Sequence, residues 1–256
     1  MAHAATRFSW AAWPLICTLL AGLAVQSASA ENRAAPPYPP ADRPWSSTDY
    51  RGLVEMVKSG KVPLPTLADP SSKAVFERVV NVENTALWMA RKKDMAVAAR
   101  MPETLETLQS VNALTLNYVS EANKGKPYER EMAKLLVYSL TLISASIDLA
   151  HEFMATMPKD AKYETRMAGF RQMQQGNRGV LAGLGQSIAE TKFYSKASTL
   201  EMAQSFVTHV PAFQSFLTDA DRQDHLRRIE QQFDSTTDAD VRAALMSMRA
   251  AIGKPK

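Results

Sequence analysis

The sequence predicts an all-α protein, an irregular single-domain bundle of seven to eight helices around one long central helix. Apolar residues recur at helical spacing through most of the chain after residue 46, and this period is the main sequence signal of amphipathic helices. No run shows convincing apolar–polar alternation, and no Asn-Gly turn joins two apolar runs as in a β-hairpin. No repeat of fixed period is present, which favours an irregular bundle over a helical-repeat solenoid.

The central helix is predicted over residues 129–157. Pro127 stands at a position typical of a helix start, Pro158 ends the segment, and no Gly or Pro lies between them. On a helical projection the apolar residues cover more than half of the circumference. They are Leu135, Leu136, Tyr138, Leu140, Leu142, Ile143, Ile147, Leu149, Ala150, Phe153 and Met154. A helix with so wide an apolar face needs neighbours on several sides, so we expect the bundle to pack around it.

The first thirty residues are predicted to be a secretory signal peptide. Arg7 is their only charged residue, an apolar run follows it, and Ala28-Ser29-Ala30 supplies small residues for cleavage. Because no Asn-x-Ser/Thr sequence is present, we expect a bacterial periplasmic or secreted protein. The alternative is an uncleaved membrane anchor over residues 8–25, a run barely long enough to span a bilayer. After cleavage no stable membrane insertion is expected.

Composition indicates a soluble domain with a substantial core. The single cysteine, Cys17, lies in the predicted signal peptide, so the mature chain has no disulfide and depends on hydrophobic burial. The net charge of +4 is spread over the chain without a basic patch, which argues against nucleic acid as a partner. Five prolines in residues 31–46 predict an extended arm, and the bundle domain is predicted over 47–253.

Apolar stripes and capping residues predict the flanking helices. They are expected over residues 47–59, 70–91, 102–124, 160–194, 199–217, 219–233 and 238–252. The segment 160–194 contains several glycines, and each lowers helix stability by roughly 1 kcal/mol relative to alanine. The glycines grouped beside its apolar stripe are Gly169, Gly176, Gly179 and Gly183. Close approach of a neighbouring helix is the simplest explanation for them.

A narrow polar strip interrupts the apolar face of the central helix. The polar strip consists of Thr141, Ser144, Asp148, His151 and Glu152. Asp148, His151 and Glu152 are spaced i, i+3 and i+4, so they share one face. An Asp-x-x-His pair supplies only half of a di-iron site, and the zinc-protease motif lacks its second histidine. The sequence therefore predicts no metal site and no cofactor, and the strip is interpreted as a solvated helix edge or part of a binding site.

Glu83, Asn112 and Asn177 each interrupt an apolar stripe on a different predicted helix. One interpretation is a polar pocket that meets the polar strip, where burial would raise the pKa of a carboxyl towards that of a general base. The other is a structural network, for example Glu83 paired with Arg166 or another arginine. The sequence leaves both interpretations open.

No catalytic residue is assigned, because the mature chain lacks cysteine and has no Gly-x-Ser-x-Gly motif. The sequence predicts a binding or interaction module that holds a peptide or a small apolar ligand in a groove between helices. The alternative is a hydrolase-like or metal-dependent enzyme with a polar site inside the bundle. The candidate site residues are Glu83, Asn112, Asp148, His151, Glu152 and Asn177.

Overall fold

The computed structural model describes residues 38–90, 96–125, 128–189 and 193–253. These residues form nine α-helices and no strand, which confirms the all-α prediction. The helices are α1 (Ser47–Lys58), α2 (Pro70–Val79), α3 (Val82–Ala90), α4 (Val97–Ala122), α5 (Glu129–Thr156), α6 (Tyr163–Ala189), α7 (Lys196–Phe213), α8 (Asp219–Ser235) and α9 (Ala239–Ile252). The predicted signal peptide and residues 31–37 of the predicted arm lie outside the described residues.

Helix α5 is the predicted central helix. It begins at Glu129 and ends at Thr156, one residue short of the predicted end. It contacts α3, α4, α6 and α7, and Leu135, Leu140 and Leu142 on it are fully buried. In the described part of the chain, α5 alone is long and apolar enough to cross a membrane, but 61% of its apolar window is buried in the bundle. The wide apolar face of α5 is therefore used for packing against other helices.

The prediction of a single helix over residues 70–91 is wrong, because the helix is interrupted between the end of α2 and the start of α3. The Asn81 side chain accepts a hydrogen bond from the Glu83 backbone N–H at 2.8 Å. Asparagine is a favoured residue at a helix start, where its side chain competes with continuation of the preceding helix. The interruption rotates α3 about its axis relative to α2. Residues that would share one face of a continuous helix therefore no longer lie on a common face.

Two prolines lie inside helices, one near the start of α4 and one near the end of α7. Helix α4 begins at Val97, five residues before the predicted start at Pro102. Pro102 falls in the second turn, where only one intrahelical hydrogen bond is lost. Helix α7 likewise contains Pro211 close to its end at Phe213.

Residues 38–46, which precede α1, form no helix but belong to the core. The Trp45 side chain is fully buried, its Nε1 donates to the Pro40 carbonyl at 2.6 Å, and its ring meets the Tyr50 ring edge-on at 5.3 Å. The Tyr38 hydroxyl donates to the Pro63 carbonyl at 3.2 Å. The packed domain therefore starts before the predicted boundary at residue 47.

The glycines of α6 have different surroundings. A Cβ placed on Gly169 or Gly179 would meet no atom within 4 Å, so close helix approach does not explain these two. At Gly185 a Cβ would lie 3.3 Å from Nδ1 of His225 on α8. Close approach of α8 thus explains the glycine at position 185. Gly185 is not one of the four glycines for which close approach was predicted.

We expect Gly169→Ala and Gly179→Ala each to raise the free energy of unfolding by about 1 kcal/mol, since alanine restricts the unfolded chain and meets open space in the helix. Urea unfolding followed by circular dichroism measures the change. Gly185→Ala is the matched control and should give no gain, because the His225 ring must shift. A gain in stability for Gly185→Ala equal to that of the other two variants would contradict the close approach of His225 to position 185.

Candidate functional site

Helix α7 covers the first half of the polar strip. His209 on α7 is half-buried between two hydroxyls of α5, with Nδ1 at 3.0 Å from Ser144 Oγ and Nε2 at 3.3 Å from Thr141 Oγ1. A neutral imidazole has one donor and one acceptor nitrogen, so the ring can satisfy both hydroxyls at once. Burial lowers the pKa of His209, which favours this neutral form. In the described part of the chain no carboxylate bonds to the ring, so Ser144 and His209 lack the orienting acid of a catalytic triad.

The second half of the polar strip is divided among different neighbours. Asp148 is exposed. His151 is also exposed at one side, and its ring meets the Phe216 ring edge-on at 5.4 Å. Glu152 accepts a hydrogen bond from Arg100 at 3.0 Å, and Arg100 is 5% exposed. Thr141, Ser144, His151 and Glu152 of the strip therefore contact neighbouring segments of the bundle, and Asp148 is left as an exposed carboxylate.

Glu83 is exposed, which corrects its predicted place on an apolar face. Its side chain is 61% exposed and pairs with Arg78 at 2.9 Å, and the predicted example of a partner, Arg166, bonds to Asp160 instead. The physical reason is the break before α3, which turns Glu83 outward. The structure does not bring Glu83 to the polar strip.

The two asparagines of the predicted pocket lie on separate helices. Asn112 is half-buried on α4, and Asn177 is 7% exposed on α6. The Asn177 Nδ2 finds no hydrogen-bond partner among the described residues. Across the described ranges, no three His, Asp or Glu side chains are grouped in a way that would hold a metal ion.

The buried polar network of the bundle lies elsewhere, around Asn84, and was not predicted. The Tyr50 hydroxyl donates to the Val79 carbonyl at 2.7 Å, which leaves its lone pairs for the Tyr138 hydroxyl at 2.8 Å and Asn84 Nδ2 at 2.7 Å. Asn84 Oδ1 accepts from the Trp45 backbone N–H at 2.7 Å. Burial raises the pKa of both tyrosines, so their hydroxyls stay neutral. This network joins α1, α3 and α5 and presents no group to solvent.

An open cleft lies between α2 and the first turns of α5, and we name it the cationic cleft. Its volume is about 290 Å³. The residues that line it are Leu67, Lys73, Glu77, Val80, Arg130 and Lys134. It therefore combines three cations and one carboxylate with two apolar side chains. A second cavity, beside Gly185 and His225, measures about 10 Å³ and is no larger than one water molecule.

Among the described residues, Arg130 is the cation of the cleft for which no side-chain partner is found. Lys73 lies 3.7 Å from Glu77, and Lys134 lies 3.0 Å from Glu201 on α7. Within the described ranges Arg130 is exposed and forms no ion pair or side-chain hydrogen bond. Its neighbour Glu131 is 4% exposed and turned inward, where it accepts from the Leu67 backbone N–H at 2.7 Å. No local pattern predicts this cleft, since Lys73 lies far in the sequence from Arg130 and Lys134.

Two histidines predict a pH dependence of stability. Burial lowers the pKa of His209 and also that of His225, which is 4% exposed. A histidine whose pKa is lower in the folded state binds fewer protons there than in the unfolded chain, so stability is complete above about pH 6.5 and falls below it. We expect the free energy of unfolding to decrease from pH 7 to pH 5, by at most about 1.4 kcal/mol per pH unit for each histidine.

Urea unfolding at each pH measures this dependence. His225→Gln should flatten it, and an unchanged pH dependence in this variant would contradict the assignment to the buried ring. Hydrogen bonds from Arg166 and Lys196 lower the pKa of Asp160 and Asp238, so these carboxyls weaken the fold only below about pH 4.

Comparison of the chain with protein-family models, with curated proteins and with solved structures finds no match.

Proposed function

We propose that the mature chain is an exported binding protein of the periplasm that carries out no catalysis, and that its ligand enters the cationic cleft. The observation that carries the proposal is the cleft itself, an open volume of about 290 Å³ with charged side chains at its edge and Leu67 and Val80 beside them. Ligand sites are concave and combine apolar surface with a few polar groups. The remaining polar clusters are used for packing between helices.

Support for export comes from the N-terminal sequence. A single arginine, an apolar run and Ala28-Ser29-Ala30 make up the pattern of a cleaved signal peptide. The protein isolated from the periplasm should have the mass of a chain that begins at Glu31. A mass that retains residues 1–30 would favour the membrane-tethered alternative.

The geometry favours a binding role over a hydrolase. Ser144 and His209 are within hydrogen-bond distance, but both ring nitrogens face hydroxyls of α5 and no carboxylate among the described residues orients the ring. The ligand class also differs from the apolar one expected from the sequence. Across the described surface the large apolar side chains that are exposed are Val82 and Met246, on different helices, which gives an apolar groove no support.

A thermal-shift experiment tests the proposal. The mature protein is heated with the small-molecule fraction of a periplasmic extract, and a ligand at a hundred times its Kd adds about 2.7 kcal/mol to stability, which raises Tm by roughly 5 °C or more. Leu67→Trp, which fills the cleft, should abolish the rise. Val82→Trp is the matched control at an exposed valine on α3 and should keep it. An equal rise in Leu67→Trp and the wild type would overturn the proposal.

A further inference from the structure

We infer that the ligand of the cationic cleft is a small organic anion that carries a carboxylate or phosphate group, and that Arg130 and Lys73 bind this group. The inference rests on the proposed function and names its ligand class. Three of the six side chains that line the cleft are cations and one is a carboxylate. An anion is therefore the ligand that the charge of the lining favours.

The first turn of α5 shows why Arg130 is available. Glu129 accepts hydrogen bonds from the Ser195 backbone N–H at 2.8 Å and the Ser195 hydroxyl at 3.1 Å. Glu131 is buried and bonded to the Leu67 backbone N–H. Both acidic neighbours of Arg130 thus hold other segments of the fold, and the guanidinium between them is left exposed. An arginine guanidinium presents paired N–H donors that match a carboxylate or phosphate.

Lys73 supplies a second cation from the opposite wall of the cleft. Lys73 is 54% exposed, and its distance of 3.7 Å from Glu77 is that of a loose surface pair, which contributes little to stability. Little stability is therefore lost when Lys73 leaves Glu77 and binds an anionic ligand. Lys134 is held more firmly, at 3.0 Å from Glu201, so we assign it a secondary role.

The size and lining of the cleft limit the anion. A volume of about 290 Å³ lies at the lower end of the range for ligand sites, roughly 300–1,000 Å³. Leu67 and Val80 are half-buried and offer a small apolar surface beside the cations. This combination suits a short hydrocarbon chain with one or two anionic groups.

The test is a titration of the isotope-labelled mature protein with succinate and, separately, with inorganic phosphate at constant ionic strength, followed by amide NMR shifts. We expect saturable shifts at the amides of Leu67, Lys73 and Arg130 with at least one of the two anions. A response to succinate alone identifies carboxylate as the recognised group, and a response to phosphate alone identifies phosphate. The double variant Lys73→Gln/Arg130→Gln should weaken binding at least tenfold.

The matched control is Lys159→Gln/Arg171→Gln, which removes the same charge from exposed positions at α6 and the loop before it. It should change the affinity less than twofold. Equal weakening by both double variants would show a general charge effect and overturn the inference, as would shifts that do not saturate. If neither anion binds while the extract still stabilises the wild type but not Leu67→Trp, the proposed function stands and the anion class is wrong.

Discussion

Replacement of Trp45 by alanine is expected to lower the free energy of unfolding by about 4 kcal/mol, because truncation of a buried tryptophan leaves a large cavity. The side chain is fully buried and touches the Tyr50 ring edge-on, and Nε1 donates to the Pro40 carbonyl. A natural domain is stable by only about 5–15 kcal/mol, so this one change removes a large fraction of the total. Urea unfolding followed by circular dichroism measures it.

Three further proteins separate the effect of Trp45 packing from that of chain length. Trp45→Phe keeps an aromatic ring against Tyr50 and loses the Nε1 hydrogen bond, so its cost should be about 1–2 kcal/mol. A chain that starts at residue 47, the predicted domain boundary, lacks Trp45 and should be at least as unstable as Trp45→Ala. A chain that starts at Tyr38 retains the Trp45 contacts. If the chain from residue 47 were as stable as the chain from Tyr38, the assignment of Trp45 to the core would be wrong.

Helix positions could be predicted well where the chain carries local signals. Helix α5 lies between Pro127 and Pro158 with no interruption, and the structure gives Glu129–Thr156. Asp238 caps α9 through hydrogen bonds from the Asp240 and Val241 backbone N–H groups, as its sequence position indicates. Such signals act within one turn of helix, so they can be read without knowledge of the tertiary structure.

The failures have two physical causes. At α2 and α3, a single asparagine cap broke a helix whose apolar residues fit one continuous stripe, and this moved Glu83 from a predicted buried place to solvent. At Trp45, proline content predicted an extended arm, and the conformation of such an arm does not indicate whether its side chains are buried.

The candidate site could not be predicted because tertiary packing assembles it. The cleft joins Lys73 of α2 to Arg130 of α5, and which charged side chains remain without a partner depends on contacts such as Glu131 with the Leu67 backbone. The polar strip on α5 was predicted from spacing, but its contact with His209 follows from how α7 packs. Spacing shows which residues share a face and does not show what covers that face.

Asn84→Ala is expected to lower the free energy of unfolding by about 3 kcal/mol, because it leaves buried hydrogen-bonding groups unsatisfied at roughly 1–3 kcal/mol each. The Asn84 side chain is fully buried. Its Oδ1 accepts from the Trp45 N–H, and its Nδ2 donates to the Tyr50 hydroxyl and the Arg78 carbonyl, each at 2.7 Å. Alanine removes all three bonds and leaves a space among groups that remain buried. Chemical unfolding with intrinsic fluorescence detects the loss.

Three variants test whether the loss of stability in Asn84→Ala comes from this hydrogen-bond network. Tyr138→Phe removes one hydroxyl and should cost about 1 kcal/mol, because the Tyr50 hydroxyl keeps its bonds to Asn84 and Val79. Asn84→Asp keeps the shape but turns the donor towards the Arg78 carbonyl into an acceptor, so it should be as harmful as alanine. Asn123→Ala is the matched control on an exposed asparagine, with an expected change within about 0.5 kcal/mol. If Asn84→Ala cost no more than Asn123→Ala, the network would not hold α3 to the core, and the position of α3 would depend on apolar contacts instead.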